Sequence, residues 1–426
     1  MKIDKTFKLQ FQNDDFGYLD AFGLESEHIF APYKDIELPD VPSDITLVVG
    51  ESGSGKTQLC NILKEKWNFT TMFYPNDDDI CCEFIGKDKA SIDKCIYYLN
   101  YVGLSDARLY YTAFKYLSDS QKFRATVANT LMKNSGGKIL IDEFLSTLDR
   151  DTAKSIAYLI QKIARKTNTK LLLATAHNDL NEYISPDTLI EGQAFPERFS
   201  VYNKPFNEFS AKTIDYTIQQ CTKEDYANSR LGELHYKGKY VGGAKEFFVA
   251  KLNNKDIGFI VGVVTGKDTT KRRIARVVVH PSYRGIGVGT KLVKALLDYY
   301  KDNNIKHISA VSALGMFNPF FDKAGMVRLK DYVIKPNMKM LNSLQLFGFN
   351  KDKWFSRSYC ENVCENVDYR NFLSKYAKNA KRAINPGGSK PSINKIKQML
   401  LAESLHSGRF LWTLRPKTLA RYESNF

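Results

Sequence analysis

The sequence predicts an α/β protein built as two successive domains followed by a basic C-terminal extension. Three observations carry this expectation. An apolar run, ITLVV at 45–49, leads straight into a glycine-rich loop and then an amphipathic stretch to residue 64, a strand–loop–helix unit. The same order returns at 273–300, where a Val-rich run, a second glycine-rich turn and helical spacing of apolar residues follow one another. Finally, 426 residues are too many for one ordinary core, and a hydrophobic fraction of 43% is enough to build two. Composition and pattern place the boundaries at 1–205, 206–335 and 336–426.

The first loop reads GESGSGKT over 50–57, the G-x-x-x-x-G-K-T phosphate-binding pattern. Gly50, Gly53 and Gly55, with Glu51, Ser52 and Ser54 between them, let the backbone wrap phosphates so that successive N–H groups point inward. Lys56 reaches the β- and γ-phosphates, Thr57 can hold Mg²⁺, and the following helix offers its positive N-terminus. Alone the pattern arises by chance; between an apolar strand and QLCNILK it is specific. Further on, KILI at 138–141 runs into Asp142 and Glu143. A strand ending in two carboxylates sets Asp142 towards magnesium and Glu143 towards an attacking water. LLLATA at 171–176 is another apolar strand, ending at His177, which is placed to contact the γ-phosphate and orient that water. Each of these residues alone reads as an ordinary strand end; their order after the loop selects the nucleotide reading.

LSDSQ at 117–121 resembles the ABC signature L-S-G-G-Q and precedes the acidic pair, as in ABC ATPases. STLD at 146–149 looks like the D-loop, and His177 like the switch histidine. On these motifs about half the chain is similar to a P-loop ABC ATPase domain. The resemblance implies ATP as ligand, with Ser118 and Gln121 of the signature contacting nucleotide held by a second domain. This chain carries one copy of each motif, so the implied assembly is a homodimer through the ABC domains. Two departures matter. Asp119 and Ser120 replace the paired glycines, which puts a carboxylate near a γ-phosphate, and no glutamine occurs between Gln58 and Gln121. The Q-loop glutamine that couples transporters to their membrane domains is therefore missing. The family implication is a soluble ABC ATPase that works on nucleic acids or complexes.

In the second half, TIDYTI at 213–218 begins strand-like alternation, and EFFVAKL at 246–252 and IGFIVGVV at 257–264 read as strands around an NNKD turn. RIARVVV at 273–279 passes through HPSYRGIGVG into TKLVKALLDYY at 290–300, again an anion cradle. The glycines are in the wrong order for G-x-G-x-x-G, and no ribose-binding acid follows. RGIGVG at 284–289 instead resembles the R-x-x-G-x-G/A motif of GNAT acetyltransferases, with IKHISAV at 305–311 as the next strand and NPFFDKAGM at 318–326 as the closing segment. The resemblance covers 213–330 and implies a GNAT-type mixed α/β domain. It would bind acetyl-CoA or another acyl-CoA, the pyrophosphate resting on the backbone at Arg284, Gly285, Gly287, Gly289 and Thr290. Where many such enzymes carry a tyrosine acid, this chain has Phe320 or Phe321. His280 precedes Pro281 and reads as structural. His235 and Tyr236 are the candidate catalytic groups, beside the alternative of simple positioning of a neutral amine against the thioester.

The whole arrangement resembles ABC ATPases fused to acetyltransferases, with NYVGLSDA at 100–107 adding to the similarity. The acyltransferase part is also distantly similar to phage Mom-type enzymes that modify adenine in DNA, which have a His-Tyr pair where His235 and Tyr236 fall. Charge points the same way. The net charge is +15, and between Arg370 and Arg421 twelve Lys and Arg face one acid, Glu403, a local charge of +11. Such a segment is the footprint of a polyanion or a solubilising surface. Tyr376, Phe410 and Trp412, interleaved with the cations, are base-stacking platforms or packed parts of the domain. The leading expectation is ATP-driven clamping of nucleic acid with acyl transfer to a base amine. Acetylation of a protein or small-molecule amine under ATP control, and a non-catalytic ATP-gated binding module, are the alternatives. Seven scattered cysteines fit the reduced thiols of a cytosol, and Cys360 with Cys364 lack partners for a zinc site. No run approaches the ~20 apolar residues of a membrane span, and MKIDKTFKLQFQNDD turns polar where a signal peptide would be apolar. The expectation is a cytoplasmic protein without a membrane partner.

Overall fold

Three sheets organise the computed structural model, which describes residues 1–10, 18–23, 27–193, 198–203, 212–235, 241–266, 268, 270–312, 314–328 and 408–413, with a few positions between 348 and 371. Two units emerge: Met1–Thr217 together with His280–Val288, and Ile218–Val279 together with Gly289–Phe426.

The first unit opens with β1 (Lys2–Gln10), α1 (Tyr18–Ala21) and β2 (Glu27–Glu37), β1 and β2 pairing antiparallel. There follow β3 (Ile45–Gly50), α2 (Lys56–Trp67), β4 (Thr70–Thr71), α3 (Lys89–Tyr101), α4 (Ala107–Tyr110), α5 (Asp119–Lys133), β5 (Lys138–Ile141), α6 (Arg150–Thr167), β6 (Lys170–Thr175), α7 (Asn181–Ile184), β7 (Thr188–Gln193) and β8 (Arg198–Asn203). The sheet order is β4-β5-β6-β3-β7-β8, parallel except for β8 against β7. β3 and β6 are buried along almost their whole length, as strands covered on both faces must be, which is why they read as unbroken apolar runs. Leu59, Cys60, Leu63 and Trp67 of α2 pack with Val48, Leu172 and Ile190 in one core cluster. α6 buries Ile156, Leu159, Ile160 and Ile163; Asp149 caps its start by accepting from the Thr152 N–H at 3.0 Å, satisfying an orphan donor.

The second sheet is built from β9 (Thr217–Gln220), α8 (Lys223–Asn228), β10 (Ala244–Leu252), β11 (Lys255–Val264), β12 (Lys271–Val279), α9 (Val288–Asp302), β13 (His307–Ser312), α10 (Phe320–Lys323), β14 (Val327–Arg328) and β15 (Gly408–Thr413). Its order is β14-β15-β13-β12-β11-β10-β9. Asn253 and Asn254 both take left-handed φ, +48° and +63°, closing the tight β10–β11 hairpin that the NNKD turn predicted. β12 and β13 run parallel, but their pairing stops at Ile274↔Ala310 while β12 continues to Val279. Tyr226, Phe247, Phe259, Val261 and Val278 form a core cluster of this unit.

Two readings of the sequence can be set beside these strands. The strand expected over 213–218 is β9, shifted to Thr217–Gln220. The basic extension over 336–426, for which the sequence left packing on the second domain open, supplies β15, which pairs antiparallel with both β13 and β14 and lies inside the sheet. Tyr236, Cys360, Cys364, Tyr376 and nearly all of the basic interval lie outside the described residues. Among the described residues Cys60, Cys81, Cys82, Cys95 and Cys221 are free thiols, and no helix is long and apolar enough to cross a membrane.

Candidate functional site

β3 delivers the phosphate loop to the edge of the first sheet. At Gly50 an added Cβ would lie 2.3 Å from the Gly192 carbonyl oxygen, so a side chain there would part β3 from β7. Gly55, with φ +84°, starts α2, and a Cβ on it would lie 2.8 Å from the Tyr33 hydroxyl. That hydroxyl, on β2, donates to the Gly55 carbonyl at 2.7 Å. Lys56 donates through Nζ to the carbonyls of Gly50 (2.9 Å) and Glu51 (2.7 Å), bending its ammonium over the loop. Glu51, Ser52, Gly53 and Thr57 are exposed. Ser54 is 2% exposed, and its hydroxyl has no hydrogen-bond partner among the described residues.

Because β6 lies between β3 and β5, neighbouring strands carry the loop, His177 and the acidic pair to one sheet edge. Asp142 accepts from the Glu143 N–H at 2.9 Å, and the Phe144 N–H donates to Ala174 of β6 at 2.7 Å. Glu143 is exposed on left-handed backbone, φ +50°, in a turn held by the Ser146 hydroxyl donating to its carbonyl at 3.0 Å. A non-glycine residue in this region stores backbone strain of the kind found at functional turns. His177 is half-buried, its N–H donating to Thr175 Oγ1 at 3.2 Å. Burial, then the charge of Asp142, push the Cys60 thiol of α2 up while Lys56 pulls it down. A hydroxyl and a carboxylate are the hard oxygen donors Mg²⁺ takes beside phosphates, so Thr57 and Asp142 fit that ion. In the signature, Gln121 Oε1 accepts from the Ser118 N–H at 3.0 Å, which fixes the start of α5, where Asp119 is exposed.

The second glycine turn links β12 to α9. His280 Nδ1 accepts from the Ser282 N–H at 3.3 Å, anchoring the short helical turn Pro281–Tyr283. Gly287 has φ +98°, and the nearest atom to an added Cβ is the Tyr216 hydroxyl at 3.9 Å. Among the described residues nothing crowds this position; backbone conformation requires glycine. The Arg284 side chain is buried and points to Asp106 at 3.8 Å. Gly289 and half-buried Thr290 lie in the first turn of α9. Phe320 and Phe321 lie ring to ring at 4.2 Å and carry no proton to donate. His235 is half-buried after the helical turn Leu231–Leu234; Tyr236 lies outside the described residues.

Sequence reasoning missed three features. One is Tyr33 beneath the phosphate loop. Another is Arg124, buried on α5. The third is a network in the second unit, where Arg272 Nε donates to Glu246 Oε1 at 2.8 Å and the Tyr300 hydroxyl donates to Oε2 at 2.9 Å, none of the three more than 5% exposed. Burial, then Glu246, push the Tyr300 phenol far up. No local signal joins an acid on β10, a base on β12 and a phenol on α9.

Residues 211–319 match the model of the acetyltransferase (GNAT) family. The first half is 31% identical over 189 residues to the methionine import ATP-binding protein MetN of Aliivibrio fischeri, a match covering 43% of this chain and 52% of that protein. The chain thus spans about half the length of the curated relatives it matches. Similar solved structures include the dimeric bacterial ABC transporter cassette MJ0796, at TM-score 0.33 and 16% identity over 42% of this chain and 93% of that one. An IAA acetyltransferase from Bacillus cereus aligns at TM-score 0.23 and 21% identity over 28% of this chain and 85% of that one. Strand order and loop define the first unit as a P-loop nucleotide-binding fold. More particularly, residues 211–319 match the GNAT acetyltransferase family model, and the other matched part of the chain is similar to ABC-type ATP-binding proteins.

Proposed function

We propose that the protein hydrolyses ATP in its ABC-type part and couples this to acyl-CoA-dependent acyl transfer onto an amine of a nucleic-acid base. The observation that supports the reading is two glycine-rich turns at strand–helix junctions, the first following β3, one strand removed in the sheet from β5, which runs into Asp142 and Glu143. The loop N–H groups and Lys56 bind the triphosphate; Thr57 and Asp142 would hold Mg²⁺, which would supply positive charge against the phosphates. Glu143 accepts a proton from the attacking water, and His177 orients it. Ser118 and Gln121 of a second copy complete the site, which makes the working form a homodimer.

In the acyltransferase part, backbone N–H groups from Gly285 to Thr290 hold the pyrophosphate of acetyl-CoA or another acyl-CoA. The acceptor nitrogen attacks the thioester carbonyl; the C–N bond forms, the C–S bond breaks, and the amine proton ends on the CoA thiolate. His235 and Tyr236 are the groups proposed to relay it, since Phe320 and Phe321 cannot. Both co-substrates are cytosolic, which supports a cytoplasmic site of action. The +11 charge between Arg370 and Arg421 favours a nucleic-acid acceptor.

Incubation of duplex DNA or RNA with protein, ATP and acetyl-CoA, followed by mass spectrometry of the nucleosides, tests this. Acylated nucleosides are expected. Acyl-CoA turnover with unmodified nucleosides would move the acceptor to a protein or small amine; binding without turnover would leave an ATP-gated module. Removing the positive charges at Lys375, Lys378, Lys381 and Arg382 should flatten the salt dependence of duplex binding by about 0.9 in log–log slope per lost phosphate contact.

A further inference from the structure

Arg124 lies one helical turn beyond the signature residues on α5 and is 1% exposed. A buried guanidinium is costly unless its donors are met; here Nη1 and Nη2 reach three carbonyls, while Nε has no partner among the described residues. Nη1 donates to Val102 at 2.9 Å and to Arg284 at 3.2 Å; Nη2 donates to Ser282 at 3.1 Å. Ser282 and Arg284 belong to His280–Val288, the segment that packs within the first unit. Burial, then the charge of Arg284, pull Arg124 down to about 9, so it stays cationic at neutral pH. The junction is closed from other sides. A Cβ on Gly103 would lie 2.3 Å from Arg124 Nη1 and 2.8 Å from the Arg284 carbonyl oxygen. A Cβ on Gly285 would lie 2.8 Å from Leu159 of α6.

A peptide unit is planar, so whatever grips the Arg284 carbonyl also aims the Gly285 N–H. That N–H is one of the donors assigned above to the acyl-CoA pyrophosphate. We propose that Arg124 is a positioning residue for the acyl-CoA turn, and that it links this turn to nucleotide because it rides on the helix that begins with the signature. The proposal rests on residues 284–290 being the acyl-CoA turn. Binding of nucleotide against Ser118 and Gln121 acts on the start of α5, and Arg124 carries the displacement to the Gly285 N–H. By linkage, nucleotide then changes acyl-CoA affinity and acyl-CoA changes nucleotide affinity by the same factor.

The test uses the full chain, with calorimetric titration of acetyl-CoA with and without AMP-PNP and Mg²⁺, and of AMP-PNP with and without acetyl-CoA. In the unmutated protein each ligand should shift the other's Kd by the same factor, about 5- to 150-fold. Arg124→Lys keeps the charge but loses the fork that spans three carbonyls. It should bring that factor close to one and raise the KM for acetyl-CoA more than it lowers kcat, a split that loss of stability alone would not produce. Gly103→Ala crowds Nη1 without removing it and should reduce the factor in the same direction; it decides the matter if Arg124→Lys does not fold. An unmutated protein that binds both ligands independently, or variants that keep the full factor, overturns the proposal. Absence of any acetyl-CoA binding by the unmutated protein overturns the acyl-CoA reading on which it stands.

Discussion

Replacing Tyr33 by Phe removes one oxygen from beneath the phosphate loop and little else. The residue is 1% exposed, its ring lies 5.4 Å from that of Phe199, and Phe fills the same volume. Burial, then Cys60, push the phenol up to about 12 against the pull of the Leu59 N–H, so Tyr33 is a neutral donor throughout any assay near pH 7. A neutral hydrogen bond contributes about 0.5–1.5 kcal/mol net, whereas stranding a buried carbonyl costs about 1–3 kcal/mol. The full penalty is not reached, because the Gly55 carbonyl also accepts from the Leu59 N–H at 3.0 Å. About 1 kcal/mol is therefore expected, roughly fivefold in an equilibrium constant. It falls on the loop conformation that phosphates require, since the bond holds Gly55 at its left-handed φ. ATP should bind about fivefold more weakly, with saturated turnover nearly unchanged, in a titration with a fluorescent ATP analogue. An unchanged Kd would refute the role of this bond. A loss beyond roughly 100-fold would equally refute it, by showing that Tyr33 touches the nucleotide itself.

Other expectations follow from the same sites. Glu143→Gln should keep ATP binding, lower hydrolysis by about 10²–10⁴ and trap a dimer with ATP and Mg²⁺; normal turnover, or a monomer by light scattering, counts against it. Gly287→Glu puts a carboxylate at the second turn, on backbone at φ +98°, so calorimetry should find acetyl-CoA affinity lost. An affinity equal to that of the unmutated protein would remove this turn from the acyl-CoA site. Arg272→Met leaves Glu246 buried with only the Tyr300 hydroxyl and should destabilise the second unit by about 3–5 kcal/mol in urea unfolding; a loss under about 1 kcal/mol would show the pair to be dispensable.

What the sequence disclosed was whatever is local. The phosphate loop, the strand-end carboxylates and the second glycine turn each need only a few consecutive residues, and the Asn253-Asn254 hairpin is set by two backbone angles. β3 and β6 were legible because a strand covered on both faces admits no polar interruption. Distant pairings were not. Arg124 finds its carbonyls 22 and 160 residues away, and Tyr33 meets the loop from 22 residues upstream. Within KFRATVAN nothing distinguishes a structural arginine from a solvated one. β15 sits in a basic interval whose charge reads as a polyanion footprint or a solubilising surface, and its strand character is decided by the edges of β13 and β14.

Those edges have a consequence in time. A ribosome finishes β14 at Arg328 and must add roughly eighty residues before Gly408–Thr413 appears, about 4–16 s at ordinary elongation rates. Throughout that interval β13 and β14 present unpaired N–H and C=O groups, the kind of edge that recruits strands from other chains. The first unit has its own strands complete by Asn203, apart from the short segment His280–Val288, so the nucleotide loop exists well before the acyltransferase sheet can close. A chain cut between Arg328 and Gly408 would keep the residues for ATP while its second sheet stayed open, with a gap between β13 and β14 that, among the described residues, β15 fills.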